Sequence, residues 1–340
     1  MRQISFFSIL LLVMMMTACG GERDGDAGDR SSAEAGAIRQ ADHTQPDAGG
    51  PAADTDSAVD NDSAADLPPG GGAAGRSSIA FLQRPELGYR PNPTLKDSLQ
   101  EKLADIIRWR KTAPRDEPLE RMTTELYALF NTLTVTATAL DRDGRFRSDI
   151  RREITQFNAT NMENDDDAGR IMNGMTGVYS MYALLAKMKF YGNEEQQAVI
   201  QEINDETAAT FKPDIPVVEA AAAIADACYT LTLMIMDDID SENRFDKAFT
   251  QIERQYTHGK QVAKRREDHF INGMFRTFEI SQIWALSLNP ERRDDVSQMN
   301  QGVSDESAEA EKVGTQMAIA VKYLFLISFT IAEDTVELTL

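Results

Sequence analysis

Residues able to do chemistry are sparse in this sequence, and their spacing limits what they could do. Beyond residue 90 the histidines are His258 and His269. On one continuous helix, eleven residues apart, they would share a face yet stand about 16 Å apart along the axis, too far to hold one metal ion. The sequence carries no HExxH, GxSxG, CxxC or phosphate-loop motif, so no cofactor is expected. Two acidic turns invite a calcium reading. With Gly144 at the sixth position of a calcium loop, Asp141 and Asp143 fall at the third and fifth, but Ala139 and Ile150 take the first and twelfth. The turn 99 residues later offers Asp238, Asp240 and Glu242 at the first, third and fifth, with Phe249 at the twelfth. Both lack the closing bidentate carboxylate, so solvated turns that cap the next helix are the plainer reading.

Asn173-Gly174 and Asn272-Gly273 interrupt apolar helical stretches. Glycine inside a helix costs about 1 kcal/mol against alanine. A close helix crossing bridged by the asparagine would offset that. A sharper reading makes Asn173, Tyr179, Asn272 and Phe278 the lining of a ligand pocket. Cys228 lies among Ala223, Ile224, Ala227 and Leu231 and reads as a buried small hydrophobe rather than a reactive thiol.

The N-terminus is an address. Arg2 precedes an apolar run from Ile4 to Met16, and Thr17-Ala18-Cys19 follows. That run is too short to span a bilayer comfortably, and small residues before a cysteine suit signal cleavage. The segment resembles the lipobox of bacterial lipoproteins, with Met16 where leucine is usual. The resemblance implies removal of residues 1–18 as a signal peptide, diacylation (palmitate-type chains) of the Cys19 thiol, and acylation of its new amine. Gly20 rather than Asp implies the outer membrane over the inner. Two or three acyl chains would anchor the chain stably.

Residues 19–78 then form a tether. From 20 to 78 the chain is rich in Ala, Gly, Asp, Ser and Pro, with twelve acids against four arginines. Such a composition cannot bury enough surface to offset ordering, so a disordered region with a reach on the order of 40 Å is expected. Residues 79–93 differ. Ile79, Phe81, Leu82, Leu87 and Tyr89 alternate with Pro85, Pro91 and Pro93. Proline excludes a helix here, and an extended strap docked on the following domain is expected.

From Thr94 onward the apolar period is close to 3.6, which predicts an all-α domain over 94–340. The chain also repeats itself at an offset of 99 residues. Ile171-Met172-Asn173-Gly174-Met175 parallels Phe270-Ile271-Asn272-Gly273-Met274, Gln156-Phe157 parallels Gln255-Tyr256, and Tyr179 parallels Phe278. Two tandem four-helix units, 94–191 and 193–290, with a partial third at 293–340, give roughly ten helices in a bundle or short solenoid. Within this register Asp165, Asp166 and Asp167 fall on Lys264, Arg265 and Arg266, opposite charges that could attract if the units pair about a pseudo-twofold axis or chains associate head to tail. The mostly apolar stretch Val313–Ala332 carries Lys322 at its centre and shares its register with a repeat helix. A core helix is therefore expected there rather than a membrane span.

The net charge of −20 argues against nucleic acid as a partner. These features support a lipid-anchored, non-enzymatic binding module of the cell envelope, engaging an unidentified envelope protein or ligand. The alternatives are a small-ligand carrier with its pocket between the two units, and a carboxylate-based enzyme acting on glycan.

Overall fold

Prolines and local caps cut the chain into helical hairpins. The first helix starts on a reciprocal cap, in which the Thr94 hydroxyl accepts from the Asp97 amide at 3.1 Å and the Asp97 carboxylate accepts from the Thr94 amide at 3.2 Å. The second starts at Pro118, whose missing N–H costs nothing at that position. The fourth starts where Asp166 accepts from the Gly169 amide at 2.6 Å. A computed structural model describes residues 94–340 apart from 164–165, 211–214 and 238–244. The expectations for the signal peptide, Cys19, the tether and the strap therefore lie outside the described residues, as do those for Asp165, Asp238, Asp240 and Glu242.

The domain is all-α. Among the described residues there are ten α-helices: α1 (Leu95–Thr112), α2 (Pro118–Leu140), α3 (Arg147–Glu163), α4 (Asp167–Lys189), α5 (Glu194–Thr210), α6 (Val217–Asp237), α7 (Asp246–Val262), α8 (Arg266–Leu288), α9 (Arg293–Glu309) and α10 (Val313–Thr339). The odd-numbered helices are the shorter and more polar ones, and each packs on the even-numbered helix that follows it. The even-numbered helices are apolar and pack on one another in the order α2, α4, α6, α8, α10, and α10 returns to α2. The result is a closed ring of five inner helices sheathed by five outer ones.

Successive hairpins reverse direction twice, so all five inner helices run parallel. Their C-terminal ends meet at one end of the ring, here called the base. Lys96 at the start of α1 pairs with Glu337 near the end of α10 at 2.8 Å, which joins the first and last elements there. The outer helices begin at residues 95, 147, 194, 246 and 293. Their spacing alternates between 52 and 47 residues, so the 99-residue period is two hairpins. Helices α1–α4 form one copy and α5–α8 the other. The hairpin α9–α10 is the partial third, and it closes the ring.

The two copies reproduce the same packing. Asn173 Nδ2 donates to the Phe157 carbonyl at 3.1 Å, and Asn272 Nδ2 donates to the Tyr256 carbonyl at 3.0 Å. Phe157 stacks on Phe130, and Tyr256 stacks on Tyr229, each with ring centroids 3.9 Å apart. The paired glycines sit at crossings of inner helices. A Cβ on Gly174 would lie 2.8 Å from Leu126 Cβ, and one on Gly273 would lie 2.9 Å from both the Ala225 carbonyl carbon and its Cβ.

The stretch from Val313 belongs to this core. Helices Val217–Met236 and Val313–Thr339 are both long and apolar enough to cross a membrane, and both are inner members of the ring. Lys322 pairs with Glu306 and its ammonium lies 4.9 Å above the Tyr323 ring. Cys228 is fully buried on α6, and burial pushes its thiol far up.

One expectation needs correction. His258 and His269 do not share a continuous helix; they lie on α7 and α8. Ala263 takes an extended conformation that ends α7, and the Arg265–Asp268 reciprocal cap starts α8. The charged clusters are also engaged locally: Arg265 pairs with Asp268 at 2.7 Å, Arg266 with Glu219 at 3.8 Å, and Asp167 with Arg170 at 3.7 Å.

On the axis of the ring, Leu133, Thr136, Tyr182, Ser281, Trp284, Ser328 and Ile331 leave no room for a water-sized sphere. The hydroxyls of Tyr182, Ser281 and Ser328 meet there and face one another.

Two predictions follow from this packing. Gly273→Ala adds a methyl against the Ala225 backbone and is expected to destabilise the protein by about 1–3 kcal/mol, whereas Gly314→Ala, whose Cβ would meet only Pro118 at 3.6 Å, is expected to be neutral or stabilising. Thermal unfolding of both variants checks this, and equal effects would contradict it. Tyr182→Phe takes the phenol away from the buried Ser281 and Ser328 hydroxyls and is expected to lower stability by about 1 kcal/mol. Unchanged or raised stability in chemical denaturation would mean that the phenol makes no hydrogen bond there.

Candidate functional site: a groove open in one copy and filled in the other

The described surface carries a groove of about 170 Å³ between the outer helices α3 and α5, floored by α4. Two turns at the base set its walls. Gly144 adopts a φ of 72° and Gly192 a φ of 83°, backbone that favours glycine. Asp141 accepts from the Phe146 amide at 2.9 Å and so aims Phe146 at the entrance of α3. Phe146 meets the Tyr191 ring edge-on at 5.7 Å, and the Arg145 guanidinium lies 4.3 Å over that same ring. Across the second turn, Gln197 Nε2 donates to the Lys187 and Phe190 carbonyls, both at 3.0 Å, and pins the start of α5 to the end of α4.

The lining is mixed in character. Phe146, Ala183 and Leu184 supply apolar surface, while Asp149, Arg152, Glu153, Tyr179, Ser180, Lys187 and Asn204 supply polar groups. Arg152 bridges the two acids of α3, at 2.8 Å to Asp149 and 3.2 Å to Glu153. The Tyr179 phenol donates to Asn204 Oδ1, and burial raises its pKa above the ordinary phenol value. A recess of this size and lining suits one large amphipathic side chain or a small molecule with both donors and acceptors.

The second copy is an internal control. At the 99-residue offset Asp149 becomes Ala248, Glu153 becomes Ile252, Tyr179 becomes Phe278, Lys187 becomes Leu286 and Asn204 becomes Val303. Ile252, Phe278, Leu286 and Val303 are all buried. Gln282, opposite Ala183 in register, is fully buried and donates to Asn300 Oδ1 at 2.7 Å. One fold thus fills this seam in α7–α8–α9 and keeps it polar and open in α3–α4–α5.

The four residues read from sequence as a pocket have separate settings. Tyr179 lines the groove. Asn173 and Asn272 tie inner helices to outer ones, as above. Phe278 is buried against Tyr323 with ring centroids 6.1 Å apart. Asp141 caps a turn, and Asp143 pairs with Arg145 at 3.0 Å. Among the described residues no group of three or more His, Cys, Asp or Glu is placed to share a metal ion.

The copies diverge a second time in a place that pattern reading overlooked. Arg276 and Glu279 form a buried pair at 2.6 Å on α8, beside the Tyr229–Tyr256 stack. Burial raises the Glu279 carboxyl, and Arg276 opposes that shift. Their counterparts in the first copy are Gly177 and Ser180. The signal was present: two charged residues on an apolar helix, facing a glycine and a serine at the repeat offset.

No protein-family model, no curated protein and no solved structure matches this chain. Functional inference therefore rests on the groove itself. Replacing Lys187 by Leu, Asn204 by Val and Tyr179 by Phe copies three apolar residues of the filled seam into the open one. Such a variant is expected to keep its helical circular dichroism and to unfold at an equal or higher temperature. A fall of more than a few degrees would show that the polar lining is structural.

Proposed function

We propose that this chain is an exported lipoprotein, anchored in the cell envelope through Cys19, whose helical ring binds an envelope protein partner by taking one of its side chains into the α3–α4–α5 groove. The observation that carries the binding reading is the contrast between the copies. The same seam closes with apolar residues in one and stays open and polar in the other, at positions where closure is compatible with the fold. The anchor rests on the signal-like residues 2–18 and on Thr17-Ala18-Cys19. The outer membrane is the expected address.

The test separates anchor from groove. Metabolic labelling with a palmitate analogue is expected to mark the wild-type chain and not Cys19→Ala. Equal labelling of both would remove the anchor. Photo-crosslinking in intact cells from a benzophenone side chain at Ser180 is expected to trap one dominant envelope protein. The Y179F/K187L/N204V variant, which removes three of the groove's polar groups, is expected to reduce that product at least tenfold. Undiminished crosslinking in that variant would remove the groove from the account. A small molecule released from purified wild type and absent from the variant would make the groove a carrier site instead.

A further inference from the structure

Four charged side chains line the α3–α4–α5 groove, and three of them are spent on one another. Arg152 bridges Asp149 at 2.8 Å and Glu153 at 3.2 Å. The fourth, Lys187, is only partly exposed, yet its ammonium has no ion pair and no hydrogen bond among the described residues. A lysine drawn back from water usually meets an acceptor or an opposite charge. Two positions on, Lys189 shows the ordinary outcome, with its Nζ donating to the Ile235 carbonyl. The backbone beneath Lys187 is held firmly. Gln197 Nε2 donates to the Lys187 and Phe190 carbonyls, both at 3.0 Å, so the ammonium is presented from a fixed turn. In the sister copy the same position is the buried Leu286. The fold therefore accepts an apolar side chain here, and the cation answers some other requirement.

We propose that the side chain received by the groove is acidic, a glutamate or aspartate of the envelope partner whose carboxylate pairs with Lys187, a reading that rests on the groove being the partner site. Charge selects this occupant. Arg152 already holds both groove acids, so an entering lysine or arginine would have to displace it and would meet the like charge of Lys187. An entering carboxylate finds the one lining cation that no acid holds. The four lining charges sum to zero, so the groove sets no net field against an anion. Selection is local, because charges beyond about 8–10 Å are largely screened at physiological salt. Ala183 and Leu184 precede Lys187 by four and three residues on α4 and line the same recess, which gives the methylene stem of the acid an apolar rest. Asn204 adds a donor. The Tyr179 phenol donates to its Oδ1, which leaves the Nδ2 amide group to donate to the partner.

The test uses the full chain in intact cells, with a benzophenone side chain at Gln201, an exposed position three residues before Asn204 that leaves the lining intact. Lys187→Met keeps the length of the side chain and removes its charge. It is expected to lower the partner crosslink at least fivefold, whereas Lys187→Arg is expected to keep at least half, with thermal unfolding of both variants within a few degrees of wild type. Wild-type crosslinking from Lys187→Met would overturn the proposal. If the Y179F/K187L/N204V variant still lost its crosslink, the groove would stand and the carboxylate alone would fall; if that variant also crosslinked fully, the groove reading would fall with it. Carbodiimide treatment of the affinity-purified wild-type complex, which joins an amine to a carboxylate in contact with it, identifies the group. Mass spectrometry is expected to find Lys187 linked to a glutamate or aspartate side chain of the partner. A Lys187 link to the partner's C-terminal carboxylate, or no partner link at Lys187, would overturn the proposal.

Discussion

Closure of the ring depends on α10. It packs between α8 and α2, and the residues it brings together are nearly two hundred positions apart in the chain. Without it the outward flanks of α2 and α8 would present apolar surface to water, and an open array of hairpins would need polar caps at both ends. The chain solves this by closure, with the last helix serving as neighbour to the second. Its length and apolarity, which resemble those of a membrane span, follow from that position, because it meets inner helices on two sides and α9 on a third. The cation at its centre is accommodated at the outer edge, where Lys322 reaches Glu306.

Close approach of the inner helices is the second requirement, and the duplicated Asn-Gly pairs meet it. The glycine lets one backbone press against the next helix, and the asparagine ties the same turn to the outer helix sixteen residues earlier in the chain. Because both copies repeat these contacts, positions where they differ stand out against a common background. The groove beside Tyr179 and the buried Arg276–Glu279 pair are two such departures. In each, polar or charged groups occupy positions that the sister copy fills with apolar or small residues, at a cost in desolvation that packing alone does not require.

Much of this architecture was legible in the sequence. The 3.6 period, Pro118, the Asp-rich turns and the 99-residue offset located the helices and their pairing into units, and the Asn-Gly pairs announced close crossings. Ring closure was not legible, since periodicity shows that a helix has an apolar face and not which partner covers it. The histidines were misplaced onto one helix because Ala263–Arg265 lacks the proline or glycine that usually marks a break. The groove was half visible: Tyr179 was singled out, while Lys187 and Asn204 looked like ordinary exposed polar residues. Only the register against Leu286 and Val303, read together with burial, gives them meaning.

The account stands on the closed ring, and an interspin distance tests it most directly. Spin labels at Lys96→Cys and Glu337→Cys, in mature chain with Cys19 and Cys228 replaced by serine, report on the two ends joined at the base. Closure predicts a single narrow distribution centred below about 25 Å, since the native pair is in contact and each label adds only its own length. A broad distribution, or one centred beyond about 40 Å as an open solenoid of five hairpins would give, would contradict it.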